Sequence, residues 1–240
     1  MEKKINVTVW DEVEGAIGPY PNGIYTAIAD FLKESGLFGE VRVALQPWPE
    51  HGLTEEVLND TDVLVYWAHC HHGTVDNGIV ERIRLRVNAG MGLLLLHSAH
   101  ASKIFNRLVG ADPWKLRWRE VSEAERVWKI EHAHPITAGL PEYIDIPQSE
   151  MYGERFNIPA PDELLFISWY EGGEVFRSGC TFKRGLGKIF FFSPGHESFP
   201  IYYMPEIQKV IINAVKWAAP TGCPEPVQGK QPFDPPKRNL

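Results

Sequence analysis

The sequence has little cysteine, no basic stripe and no long apolar run. Its three cysteines, Cys70, Cys180 and Cys223, are far apart and form no CxxC pair. That excludes a zinc knuckle and argues against a disulfide framework. Net charge is −7 over 240 residues, and the longest basic patch, Lys115 to Arg119, is broken by Leu116 and Trp118. Phosphate backbones require a concentrated positive field, so the charge argues against a nucleic-acid partner. No stretch approaches the roughly 20 apolar residues needed to cross a bilayer, and no membrane association is expected. Met1-Glu2-Lys3-Lys4 leads into a strand pattern without a signal-peptide pattern, so a cytoplasmic location is the expectation. A phosphate loop is missing too: Gly15-Ala16-Ile17-Gly18 lacks the GxGxxG spacing and the following Lys-Ser/Thr.

What is present is an ordinary globular balance, 44% hydrophobic and 23% charged, enough to bury a core without staples. Ile5 to Trp10, Val41 to Leu45, Asp62 to Trp67 and Gly92 to Leu96 read as strands. Helical spacing follows them from Ile24, over Gly78 to Asn88 and over Ser102 to Leu108, with a short helix capped by Thr54. This alternation predicts βαβ units and an α/β, flavodoxin-like, doubly wound and mostly parallel sheet. Trp114 to Ile158 is less regular, with a strand over Val127 to His132; Leu164 to Phe192 reads as antiparallel hairpins, an extension toward the C-terminus. Met204 to Ala218 closes the chain as a helix. One domain over 1–220 and a Pro-rich tail over 221–240 are expected. Aromatics in the Trp114–Trp118 region suggest a homo-oligomer contact.

The nine histidines matter by placement. His69, His71 and His72 follow the third strand, His97 and His100 the fourth, and His196 the late strand ending at Phe192. In open α/β sheets ligands bind beyond the carboxyl ends of strands, so these three groups can meet at one edge. Imidazole near neutral pH binds metals or moves protons, and three histidines with a carboxylate or water make a common zinc shell. The candidate metal ligands are therefore His69, His97 and His196, with His72 next. Glu150 and Glu197 are the candidate proton-moving carboxylates and His100 a further catalytic candidate. Glu154 reads as a solvated charge; His51, His132 and His134 read as structural. Ser98 lies where a nucleophile elbow would sit, but Leu96 and His100 stand where that motif needs glycines. Cys70, flanked by histidines, leaves a thiol hydrolase open. Trp10, Trp48, Trp67, Tyr152, Trp169 and Tyr170 are core by default, with one or two able to stack on a sugar ring.

Three segments in particular carry a resemblance: Trp67-Ala68-His69-Cys70-His71-His72, Gly92-Leu93-Leu94-Leu95-Leu96-His97-Ser98-Ala99-His100 and Pro194-Gly195-His196-Glu197. With His134-Pro135 to Leu140, Glu150 to Glu154 and Glu174 to Cys180 in order, the sequence resembles the ThuA-like (trehalose-utilisation) family. That family's fold is similar to class I glutamine amidotransferases. The resemblance implies a flavodoxin-like sheet without the amidotransferase elbow cysteine, and a role in disaccharide or related sugar use. It implies histidines at positions 69, 72, 97 and 196; His71 departs from the usual small residue, and Gly73 stands where an acid is frequent. The first expectation is a metal-dependent enzyme, zinc by preference, acting on a disaccharide or keto-glycoside. The alternative is a non-catalytic sugar-binding or regulatory protein that kept the fold.

Overall fold

The computed structural model describes residues 4–111 and 116–221. The expected tail from residue 222 onward, with Cys223, lies outside them, as do Trp114 and Lys115 of the aromatic and basic patches. Nine strands form one sheet: β1 (Val7–Asp11), β2 (Val41–Leu45), β3 (Val63–Trp67), β4 (Gly92–Leu96), β5 (Arg117–Lys129), β6 (Tyr143–Gly153), β7 (Glu163–Tyr170), β8 (Val175–Arg184) and β9 (Gly187–Phe192). Their spatial order is β2-β1-β3-β4-β9-β8-β7-β5-β6.

The first five strands in that order are parallel, and the remaining four pairings are antiparallel. This corrects two expectations. The sheet is not mostly parallel, because the antiparallel half is as large and carries the longer strands. Nor is that half a C-terminal extension: β5 to β8 are inserted between β4 and β9, and β9 rejoins the parallel half beside β4. The irregular stretch also holds more strand than its sequence suggests. β5 begins ten residues before Val127, and β6 carries Glu150.

The parallel half is wound on both faces, as its uninterrupted apolar strands demand. Alternate residues of each strand go to opposite sides. Val7, Val9, Val63, Val65, Leu94, Leu96, Phe190 and Phe192 meet α1 (Ile24–Glu34) and α5 (Pro205–Ala218) on one side. Leu64, Tyr66, Leu93, Leu95, Ile189 and Phe191 meet α3 (Asn77–Asn88), α4 (Lys103–Val109) and Leu58 of α2 (Glu55–Asn59) on the other. Thr54 caps α2 by accepting from the Val57 N–H, and Ser102 caps α4 by accepting from Phe105. Both helices thus start where their capping hydroxyls require. Among the described residues no helix is long and apolar enough to cross a membrane.

Candidate functional site

β3, β4 and β9 are adjacent and parallel, so the residues just past their carboxyl ends share one edge. His69, His97 and His196 occupy those places. The fourth member arrives from the far edge of the sheet. β5 breaks register between Arg119 and Glu125, and Ser122 adopts a left-handed φ of 63° there. Bulges of this kind bend a strand, and the β5–β6 arm folds back over the strand ends. Glu150 of β6 thereby comes to 3.5 Å from His97 Nε2 and 4.0 Å from His196 Nε2. One ligand atom from each of His69, His97, His196 and Glu150 lies within 4.8 Å of the others, a convergence close enough, among the described residues, for a shared ion or ligand.

His97 is the first residue after β4 and has φ 56°, a left-handed conformation uncommon outside glycine and met mainly at Asn, Asp and His. The strained turn that a nucleophile elbow would use is therefore filled by His97, one residue before Ser98. Its ring stacks on Trp67 at 6.0 Å, and the Trp67 indole donates to the Gly195 carbonyl at 3.0 Å. Trp67 thus ties the β4 and β9 loops together beneath the cluster.

Each ring is oriented by its second nitrogen. His69 Nδ1 donates to Glu197 Oε1 at 2.6 Å, and His97 Nδ1 faces the Ser193 carbonyl at 3.3 Å. Both rings keep an Nε2 lone pair when neutral. His196 differs: its Nδ1 accepts the Ser198 N–H at 3.0 Å, which places the proton of the neutral ring on Nε2. His97 Nε2, His196 Nε2 and Glu150 Oε2 are all buried without a hydrogen-bond partner. Buried polar atoms are nearly always satisfied, so this set suits a bound ion or a bound hydroxyl-rich molecule.

Charge follows the same pattern. Burial raises the Glu150 carboxyl to about 7, against a hydrogen bond from Tyr152 that lowers it. Burial pulls His69 down, yet the Glu197 hydrogen bond and the charges of Glu197, Glu150 and Glu12 outweigh it and hold His69 above its ordinary value. His97 is pushed well down by burial and by its neighbours His69 and His196. Glu197 is held low by His69 despite burial.

His72 and His100 stand outside the group of four. They line the adjoining cavity of about 350 Å³ with His69, Ser98, Glu150 and Tyr152. Burial lowers His100 to about 3, so it is neutral, and its ring packs edge-on against Tyr152 and Phe156. Glu154 pairs with Arg177 at 2.8 Å rather than entering the site. Cys70 is exposed, and desolvation followed by the charge of Glu12 pushes its thiol up, opposite to what an activated thiolate needs. His51 and His134 hold turns, through the Gln46 carbonyl and the Ile136 N–H.

Two carboxylates escape the sequence reading. Glu12, just past β1 and buried, accepts the N–H groups of Cys70 and His71, the latter at 2.9 Å, and so fixes the loop carrying His69. The strand-end rule that singles out the histidines, applied to acids, finds it. Glu120 reaches to 3.7 Å from His196 Nε2; no local pattern marks it, because the β5 fold-back brings it there.

The family described as ThuA, trehalose utilisation, matches residues 6–218. No curated protein matches the sequence. Among solved structures, a ThuA-like protein of Parabacteroides merdae aligns with TM-score 0.71 and 15% identity, over 92% of this chain and 93% of that one. A ThuA-like protein of Bacteroides uniformis gives TM-score 0.59 at 13% identity, over 90% and 92%. A Thermoplasma acidophilum protein described as a GMP synthase subunit gives 0.55 at 12%, over 90% and 94%. At these identities the likeness is one of fold.

Proposed function

The chain belongs to the ThuA trehalose-utilisation family, and from that premise we propose that it is a metal-dependent enzyme of sugar metabolism acting on a disaccharide or keto-glycoside. The observation that carries the proposal is the convergence of His69, His97, His196 and Glu150 within 4.8 Å, with three of their polar atoms buried and unpartnered. His69 and His97 offer Nε2 lone pairs and Glu150 a carboxylate oxygen. A divalent ion held there, zinc by preference, supplies polarisation of a hydroxyl or carbonyl, or an activated water. Without an ion, Glu150, raised to about 7, is matched to take or give a proton at neutral pH; holding one, it is an ionised ligand and not the proton carrier. Glu197 orients His69, and Glu12 fixes the loop beneath it. His72 and His100, neutral and set in the cavity wall, contact substrate hydroxyls.

The test is elemental analysis of the purified protein with and without added zinc. About one ion per chain is expected, with most of it lost in His69→Ala. A wild-type protein that holds and takes up no metal sinks the metal reading. The His196 tautomer favours a second reading. A ring whose Nδ1 accepts a backbone N–H presents Nε2–H, which donates to a sugar hydroxyl rather than binding an ion. A metal-free protein that binds disaccharide and does not turn it over would be a non-catalytic sugar-binding protein.

A further inference from the structure

The cavity has a polar floor and a different roof. Its floor is the histidine and carboxylate cluster, with Ser98 hydrogen-bonded to Tyr152. Its roof is the start of β5. Residues two apart on a strand share a face, as Trp118 and Glu120 do: Trp118 lines the cavity, with Leu116 just before the strand, and Glu120 contacts His196. Arg119, between them, turns away to Glu123 and Glu174 at 2.7 and 2.8 Å. Trp118 pairs directly with Tyr152 across the ladder, and directly paired residues project to the same side.

Trp118 is 67% exposed although it borders a cavity. Among the described residues its ring makes no ring–ring or cation contact. Of the aromatics expected to stack on a sugar, Tyr152 lines the cavity, but its ring is buried in the floor beside Ser98, and the rest are placed otherwise. Trp10, Trp67 and Tyr170 are buried, while Trp48 and Trp169 are exposed away from the cavity.

A slot with hydrogen-bonding groups on one wall and a flat apolar ring on the other matches one ligand chemistry. A pyranose carries hydroxyls around its rim and a C–H surface on its face, and an indole covers such a surface while its edge stays wet. A cavity of about 350 Å³ is at the small end of ligand sites. That is room for one ring. Resting on the sugar reading above, we propose that Trp118 is the stacking platform for a pyranose ring and forms, with Leu116, the apolar half of the sugar site.

Calorimetric titration with trehalose, maltose and cellobiose tests this on the full chain. Trp118→Ala is expected to lower affinity about tenfold, and Trp118→Phe to keep it within about threefold. Trp169→Ala, an exposed tryptophan outside the cavity, should bind as wild type, and metal content should be unchanged in all three. If Trp118→Ala binds sugar like wild type, the platform is overturned and the sugar reading stands. If sugar affinity holds but Trp118→Ala converts an oligomer to a monomer by light scattering, Trp118 serves a second copy of the chain and the proposal is wrong. If the wild-type protein binds none of the three sugars and no 3-keto derivative of them, the sugar reading fails and the platform with it.

Discussion

Oε1 of Glu197 lies 2.6 Å from Nδ1 of His69, so the residue that follows one cluster histidine in sequence orients another from a different strand. The loop after β9 thus contributes His196 directly and His69 indirectly. Removing such an orienting carboxylate weakens metal binding roughly 10- to 100-fold. Glu197→Ala should show that loss in a zinc competition against a chromophoric chelator, with an unaltered circular dichroism spectrum. Unchanged affinity would detach His69 from ion binding.

Glu12 should behave as a positioning residue. Its two oxygens accept two neighbouring backbone N–H groups, and glutamine can accept only with one oxygen while turning an NH2 toward the other. An unsatisfied buried group costs about 1–3 kcal/mol. Glu12→Gln is expected to lose that much in urea unfolding and also to weaken ligand binding, since the displaced loop carries His69. A stability loss with intact binding would confine Glu12 to the fold.

Glu125 gives a pH signature away from the site. It is fully buried in the antiparallel half and accepts from Ser149, Ser168 and Tyr170. Burial raises its pKa above 4.5 even against those bonds. A carboxyl whose folded pKa is raised binds its proton more tightly when folded. Its contribution is therefore full below about pH 4.5 and is lost as pH rises through the folded value. Glu125→Gln removes the ionisation and keeps an acceptor. Its stability relative to wild type should rise from about pH 4.5 and level off above the folded pKa in parallel denaturant titrations; a pH-independent difference would contradict the shift.

Gly195 has φ 137°, and a Cβ there would fall on the Tyr202 hydroxyl. Gly195→Ala combines backbone strain with overpacking, roughly 2–4 kcal/mol together. Because the Trp67 indole is bonded to the Gly195 carbonyl, the variant should lose ligand binding along with its thermal midpoint. A midpoint within about 2 °C of wild type would show that the loop absorbs the methyl.

The parallel half is legible in the sequence because its signals are local. Each strand is a short apolar run, each helix has its own periodicity, and the histidines sit where one element ends. The antiparallel insertion is not, since β5 buries Glu123 and Glu125 beside Val127, where alternation is expected to place apolar residues. The pairing of β9 with β4 joins residues 96 positions apart, as Leu93 with Ile189, and nothing within β9 encodes it. Glu150 stands out by its neighbours, but its route into the site depends on the bend in β5. Trp118 reads as part of an oligomer contact because the roof it forms exists only once that arm has folded back.

The left-handed backbone at His97 bears on how this protein could change over time. Imidazole at that position carries a backbone cost that glycine would relieve, yet the same ring is buried between Trp67 and Tyr152, so its loss would also leave a void. A descendant released from its chemistry would therefore accept glycine or asparagine at position 97 only together with larger side chains that refill the space between Trp67 and Tyr152. Finding either there in a relative would mark a lineage in which the site has fallen silent.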